Sequence, residues 1–305
     1  MKNNQRKSAH IQKHIGDEPV VNGKQPCPCR GFFITDLDGT LFRSDRTAAD
    51  VDLKTLKDLG KMGVVRAVAT GRSLYSFKKA VGDTLPIDYV IFSTGSGILQ
   101  YPNGPYFRVI NLEPDSVKRC AEILMDTKLD FMIHNPIPEN HKFAFWGNLD
   151  SNPDFNHRIN LYRQFCRPLD ESHGFEKAAQ ILAIVAQSDG QPLIAHLRGE
   201  IPELNIVRTT SPLDGESTWI EFFHKEVSKS QAAAWLAAEL EIPVEKTLSV
   251  GNDYNDIDLL EWSGCCFVVE NAPNDLKDRF TSVASHDACG VTEAVNRWLD
   301  KISIT

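Results

Sequence analysis

Apolar and polar positions along this chain switch repeatedly between a two-residue and a helical period. A short apolar run at 32–35 predicts a strand, and near 48–62 Leu53, Leu56 and Leu59 fall on one face of a helix. Gly63 ends that helix, and 64–69 reads as the next strand. A short helix near 74–81 then leads to a third strand, 89–92. The order β-α-β-α-β predicts a parallel sheet with right-handed crossovers.

The same alternation resumes near residue 218. "TWIEFF" reads as a strand, and Ser228 with Gln231 forms an S-x-x-Q capping box for a helix carrying Ala232, Trp235, Leu236 and Leu240. A strand at 247–250, a helix at 254–261, a strand at 265–269 and an amphipathic helix at 289–300 follow. Between the two halves, 106–217 differs in kind. It pairs helices at 114–126, 153–165 and 189–198 with strand-like runs at 130–134, 142–146, 181–185 and 205–209, and it contains Pro136, Pro138 and Pro153. The expected fold is therefore α/β: a Rossmann-like parallel-sheet core from 31–105 and 218–305, with an α+β domain inserted at 106–217. Residues 1–30 are polar, with Lys2, Arg6, Lys7, Lys13, Pro19, Pro26 and Pro28 and no apolar segment. They predict a disordered tail rather than a secretory signal.

Composition narrows the function classes. The 305 residues are 42% hydrophobic and 24% charged, enough for a sizeable core. A formal net charge of −8 argues against general nucleic-acid binding. The apolar runs are strand-sized, short of the roughly 20 residues of a membrane span. Cys27, Cys29, Cys120, Cys166, Cys265, Cys266 and Cys289 are an odd, scattered set, which suits reduced thiols in a cytoplasmic protein.

The chemistry gathers at strand ends, where open α/β sheets bind ligands. Asp36 and Asp38 follow the first strand; Thr70, Gly71 and Arg72 follow the second; Lys229 opens a helix; Gly251, Asn252, Asp253, Asn255 and Asp256 follow a later strand. Two nearby carboxylates repel and are costly to bury unless a cation lies between them. Mg²⁺ takes such oxygen ligands. Thr70 offers a hydroxyl and a main-chain N–H, and Lys229 a positive charge at a helix start, a natural anion site. Metal, hydroxyl and ammonium together match a phosphate group. Calcium loops do not fit: counted from Asp36 the required Gly and Glu positions hold Leu41 and Thr47, and counted from Asp253 the Gly position holds Asp258.

These four motifs, in this order, resemble the haloacid dehalogenase superfamily of phosphotransferases over about residues 31–300, and "DLDGTL" is highly specific. The insert resembles the C2-type cap of the Cof-like and sucrose-phosphatase-like members. The resemblance implies that Asp36 is a nucleophile forming an aspartyl-phosphate, and that Asp38 is general acid and then base. It implies Mg²⁺ held by Asp36, the Asp38 carbonyl, Asn252 and Asp256. Phosphoryl oxygens would be held by Thr70, Gly71, Arg72, Lys229 and Asn255. The implied reaction is hydrolysis of a small phosphomonoester, sugar phosphates among them, by a monomer or small homo-oligomer. A phosphomutase and a weakened phosphometabolite sensor are the alternatives; Asp38 disfavours dehalogenation. Two positions depart from the pattern. Asn252 stands where relatives carry Asp, leaving Asp253 or Asp256 to compensate, and Thr94-Gly95 stands where they often have Asn-Gly. "HNPIPENH" (134–141) is a candidate substrate-facing loop. His134, His141 and His224 otherwise read as structural, and Phe143, Phe145, Trp146, Trp219 and Trp262 as core.

Overall fold

β1 (Gly31–Thr35) is buried along its whole length, and Phe32, Phe33 and Ile34 are fully shielded. It runs through the middle of an eight-stranded sheet in a computed structural model that describes residues 31–148, 152–170, 172 and 174–303. The expected tail at 1–30, with Cys27 and Cys29, lies outside the described residues.

The chain continues through α1 (Asp50–Lys61), β2 (Val64–Ala69), α2 (Leu74–Val81), β3 (Tyr89–Phe92), β4 (Gly97–Gln100) and β5 (Tyr106–Val109). It then builds α3 (Pro114–Asp126), β6 (Phe131–His134), β7 (Phe143–Trp146), α4 (Pro153–Leu161), β8 (Cys166–Pro168), β9 (Gln180–Val185), α5 (Gln187–Glu200), β10 (Leu204–Thr210) and β11 (Thr218–His224). It closes with α6 (Lys229–Glu239), β12 (Thr247–Gly251), α7 (Ile257–Trp262), β13 (Cys265–Val269), α8 (Asn274–Arg279), β14 (Ser282–Val283) and α9 (Gly290–Ser303).

The first sheet has the order β14-β13-β12-β1-β2-β3-β4-β5. It is parallel from β14 to β3, and antiparallel through β4 and β5. Both faces of β1 are covered, which is why its sequence is an unbroken apolar run rather than an alternating one. Phe33 packs with Leu56 and Leu59 of α1 and Trp298 of α9. Phe32 and Ile34 pack on the other face with Ala232, Ala233 and Leu236 of α6.

The second sheet has the order β10-β11-β9-β6-β7-β8 and is antiparallel except between β7 and β8. One face rests on α3 and α5 through Val117, Leu124, Ile194 and Leu197. The opposite face puts Met132, Phe143, Leu182, Ile184 and Trp219 under Phe155 and Ile159 of α4.

The expected boundaries shift in two places. Thr218–His224 is expected in the parallel-sheet half, but it pairs with β10 and β9 and so belongs to the second sheet. A buried strand reads alike in either sheet, so its local pattern does not reveal its partners. The hairpin β4–β5 extends the first sheet past residue 105 to Val109. The crossings between the two units therefore follow β5 and β11. Local expectations also sharpen: helix 153–165 stops at Leu161, and 254–261 is a 3₁₀ turn, Tyr254–Asp256, leading into α7. Ser228 Oγ accepts the Gln231 N–H as expected at 3.2 Å, but the Gln231 side chain donates to the Lys225 carbonyl instead of reaching back to Ser228. No described helix is long and apolar enough to cross a membrane.

Candidate active site

Asp36 is the first residue beyond β1, and its N–H still donates to the Val250 carbonyl of β12 at 2.9 Å. The ladder thus carries the Asp36 backbone to the carboxyl edge of the sheet and holds it there. Lys229, the first residue of α6, is fully buried. Its Nζ lies 2.7 Å from Asp36 Oδ1 and 2.6 Å from Asp256 Oδ1. Asp256 Oδ2 accepts the N–H groups of Asn252 at 2.9 Å and Asp253 at 3.1 Å. Gly251 makes room for this carboxylate, since a Cβ there would stand 2.6 Å from Asp256 Cγ.

One ammonium serves two buried carboxylates in this triad. The carboxylates of Asp256 and Asp36 outweigh the effect of burial and hold Lys229 charged well above the ordinary lysine range. Burial pushes Asp36 up to about 7, Asp256 adds to the shift and Lys229 opposes it. Asp36 shares the one ammonium with Asp256, so the buried pair of acids carries uncompensated negative charge. A second cation at the free Asp36 oxygen would relieve it.

The surroundings of Asp36 Oδ2 fit such a cation. The side-chain amide of Asn252 lies 3.2 Å from Asp36 Oδ2, 3.2 Å from the Asp38 carbonyl and 3.0 Å from Thr40 Oγ1. Turned one way, its Nδ2 donates to all three. Turned the other way, its Oδ1 accepts from Thr40 Oγ1 at 3.0 Å and faces the Asp36 and Asp38 oxygens, each 3.2 Å away. A carboxylate, a carbonyl and a carboxamide are hard oxygen donors of the kind Mg²⁺ takes. Among the described residues, no group of three or more His, Cys, Asp and Glu side chains is arranged to hold a metal. Asp256, an expected ligand, spends its carboxylate on Lys229 and two main-chain N–H groups. Asp253, the other candidate, accepts from Thr210 N at 2.9 Å and Thr210 Oγ1 at 3.1 Å.

Asp38 meets Arg72 in a two-pronged pair. Arg72 Nε lies 2.6 Å from Asp38 Oδ2, and its terminal nitrogen 2.6 Å from Oδ1. Thr70 is buried. Its N–H, expected to be free for phosphate, donates to the Ile91 carbonyl at 2.8 Å. Its Oγ1 accepts from Arg72 N at 3.1 Å, which leaves the hydroxyl hydrogen to give. Gly71 has Thr94 Oγ1 and Asn255 Nδ2 as neighbours, 3.7 and 3.9 Å from where a Cβ would be. Thr94 Oγ1 is buried and lacks a partner among the described residues. Ser93, Thr94 and Gly95 have φ of 49°, 55° and 106°. This left-handed run is costly for the β-branched Thr94 and presses the loop onto α6. A Cβ at Gly95 would stand 2.3 Å from the Ser228 carbonyl oxygen.

A cavity of about 840 Å³ opens above these residues, and both sheets line it. The first sheet contributes Asp36, Asp38, Thr70, Gly71, Arg72, Asn252 and Asn255; the second contributes His134, Gln180, Trp219 and Glu221, with Arg158 and Tyr162 from α4 and its end. Asn140 Nδ2 donates to Ser93 Oγ at 2.6 Å, and Tyr75 stacks on His141 at 4.4 Å, so the 134–141 loop bridges the two units. On the far side Thr210 holds Asp253, and Arg208 lies 4.0 Å over the Tyr254 ring. His224 instead accepts the Glu226 N–H. Trp219 is core and cavity wall at once. Sequence reasoning missed Gln180, Glu221 and Arg158. The available signal was a glutamate in the middle of the apolar strand "TWIEFF".

The sequence profile of the haloacid dehalogenase-like hydrolases matches residues 33–295. The chain belongs to that family. The Cof-like phosphatase resemblance carried by the four motifs is thereby upheld. A Bacillus subtilis relative, the 5-amino-6-(5-phospho-D-ribitylamino)uracil phosphatase YwtE, is 22% identical over 284 residues, covering 87% of this chain and 96% of its own. The solved phosphatase BT1666 of Bacteroides thetaiotaomicron superposes with a TM-score of 0.71 at 16% identity, over 91% of this chain and 98% of its own. The subclass IIB sugar phosphatase BT4131 gives 0.69 at 18% identity, over 88% and 98%. At these identities the solved structures speak to the fold.

Proposed function

We propose that this hydrolase is a Mg²⁺-dependent phosphatase that cleaves a small phosphomonoester through an aspartyl-phosphate on Asp36. The observation that carries the reading is the Asp36 carboxylate itself. One of its oxygens is held by the buried Lys229, and the other faces Asn252 at the floor of the cavity. The names of YwtE and BT4131 also describe enzymes that act on phosphate esters.

Asp36 Oδ2, the Asp38 carbonyl and Asn252 Oδ1 would hold the metal. Bound there, it supplies positive charge beside Asp36 and the phosphoryl oxygens. The phosphoryl group lies between that position, Lys229 and the Thr70 hydroxyl, with Gly71 and Asn255 alongside. A carboxylate oxygen of Asp36 attacks phosphorus in line as the bond to the leaving oxygen breaks, and Asp38, which takes up a proton from solvent when its pair with Arg72 opens, gives that proton to the leaving oxygen. Asp38 then takes a proton from water, whose oxygen attacks phosphorus and releases inorganic phosphate and the Asp36 carboxylate. Arg72 orients Asp38 before substrate arrives and is free to bind a phosphoryl oxygen once the pair opens. The five described cysteines are free thiols, which supports a reducing compartment such as the cytoplasm.

Phosphate release from a panel of phosphorylated metabolites, with Mg²⁺ and with chelator, tests the reading. The parent should release phosphate only with the metal, and Asp36→Asn should release none. Turnover by Asp36→Asn would overturn the covalent route, and a parent inert toward every phosphomonoester would overturn the phosphatase.

A further inference from the structure

A second cavity, of about 540 Å³, lies between the two units, with residues of α5 and β10 on one wall and of α7 and α8 on the other. The contact of β10 with the 3₁₀ turn before α7 separates it from the active-site cavity. Thr210 and Asp253, which bond each other, line the active-site cavity, whereas Val207, Arg208 and Tyr254 line the second. Asn255 borders both.

The two walls of this cleft differ in how their charges are met. Arg198 and Arg208 have no carboxylate partner among the described residues. Arg198 donates to the Ile206 carbonyl at 3.0 Å, and Ile206 stands two residues before Arg208, about 7 Å along the strand. Arg208, half-buried, lies 4.0 Å over the Tyr254 ring. The acids opposite are engaged. Glu261 pairs with Arg279, Asp258 accepts the Ser230 N–H at 3.0 Å, and Asp275 accepts the Tyr254 hydroxyl at 3.2 Å. The two guanidiniums on the α5–β10 wall therefore have charge to give, and a ring face offsets only part of it.

Ile194, Ile206 and Leu276 add apolar surface to the same cavity. Its volume falls within the roughly 300–1,000 Å³ of small-ligand sites. A ligand that suits the whole set carries anionic groups for two guanidiniums on an apolar body. A bare inorganic anion would leave the apolar wall wet, and a neutral molecule would leave the guanidiniums without a counter-charge.

We propose that this cleft is a regulatory site for a small organic dianion, held by Arg198 and Arg208 and separate from the site of hydrolysis. Bound there, the dianion stands between the two walls and keeps them apart. Rocking about the Thr210–Asp253 contact, which would widen the active-site cavity as the cleft narrows, is blocked. Exchange of ester and phosphate then slows. The binding does not depend on the phosphatase reading of Asp36; the effect on turnover rests on it.

The probe is isophthalate, a planar dianion, with isophthalamide as its neutral counterpart and sulfate as a dianion with no apolar body. Melting of the parent, Arg198→Gln and Arg208→Gln is followed with each. Arg198 is exposed, so its variant keeps the fold even if Arg208→Gln is weakened by losing its place on Tyr254. Tenfold above half-saturation, isophthalate should raise the parent Tm by about 2–5 °C. Isophthalamide should not raise it, sulfate should raise it less, and both variants should lose most of the rise. A Tm that isophthalate leaves unmoved, a rise matched by isophthalamide or sulfate, or an equal rise in both variants would overturn the site. With p-nitrophenyl phosphate as substrate, isophthalate should lower the parent kcat by about 5-fold, the low end of coupling between two sites, and leave that of Arg198→Gln unchanged. An unchanged parent kcat would overturn the regulatory role, and a rise in KM alone would place the probe in the active site. If the parent cleaves nothing, the phosphatase reading falls, and the Tm comparison alone decides the cleft.

Discussion

Arg72 grips both carboxylate oxygens of Asp38, each at 2.6 Å. On the proposed mechanism the pair opens as substrate arrives, because a phosphoryl group offers the guanidinium an equivalent two-oxygen partner. Substrate binding and release of Asp38 would then be one exchange. Asp38→Asn should lower kcat/KM by about 10²–10⁴-fold, the usual worth of general acid–base catalysis. The loss should be larger on alkyl phosphates, whose leaving oxygen needs a proton, than on p-nitrophenyl phosphate. Arg72→Ala should chiefly raise KM and should not discriminate between the two leaving groups. An Asp38→Asn loss that is equal on both esters would remove Asp38 from proton transfer.

Asn252 fills the proposed metal position with a donor of its own. With Nδ2 toward Asp36 Oδ2 and the Asp38 carbonyl, the amide supplies the donor that a cation would otherwise replace. Asn252→Asp removes that donor and sets a like charge beside Asp36. In chelator the variant should melt lower than the parent, by about 2–4 °C for each kcal/mol lost. Millimolar Mg²⁺ should close the gap, because only the folded state binds it. Apparent Mg²⁺ affinity should tighten, about tenfold for each 1.4 kcal/mol gained. A variant that melts like the parent in chelator would show that the amide plays no such part.

Asp256 and Asp253 are neighbours with separate duties. Asp256 completes the ion triad, and removing one partner of a buried charge pair costs about 3–5 kcal/mol. Asp256→Ala should therefore lower Tm sharply and reduce turnover with it. Asp253 ties the loop to Thr210 of the second sheet, and Asp253→Ala should cost about 1–3 kcal/mol while raising KM. Mg²⁺ titrations of both variants check the assignment. If Asp253→Ala alone abolishes the metal response, Asp253 and not Asn252 completes the metal site.

Strand ends were the legible part of the sequence. Asp36, Thr70, Lys229 and Asn252 each follow or cap an element whose period is plain, so a parallel sheet had to bring them to one edge. Thr218–His224 was not legible in the same way, since its apolar run suits either sheet and its partners lie in β9 and β10. Spacing also brought Asp256 to the site without revealing that Lys229 and two main-chain N–H groups take both of its oxygens. Glu221 and Arg158 lie on different elements far apart in the chain, and only the placement of α4 over the second sheet sets them across one cavity. Contacts of that range have no local signature.

His134 should make the second unit sensitive to acid. It is 4% exposed, and burial, followed by the charge of Arg158, pushes its pKa down to about 3. Its unfolded value is near 6.5, so between those limits the unfolded chain binds a proton that the folded protein refuses. Stability then rises with pH across this window and is lost on acidification, by up to about 1.4 kcal/mol per pH unit. His134→Asn keeps an N–H for the Asn140 carbonyl and removes the titration. Between pH 6.5 and 4.5 the parent Tm should fall more steeply than that of His134→Asn, although the variant can start lower at neutral pH because a smaller side chain fills the site. The difference between the two slopes isolates His134 from the carboxylates, which titrate in both proteins. Parallel slopes would mean that the imidazole accepts its proton in the folded state, and the neutral ring would have to be abandoned.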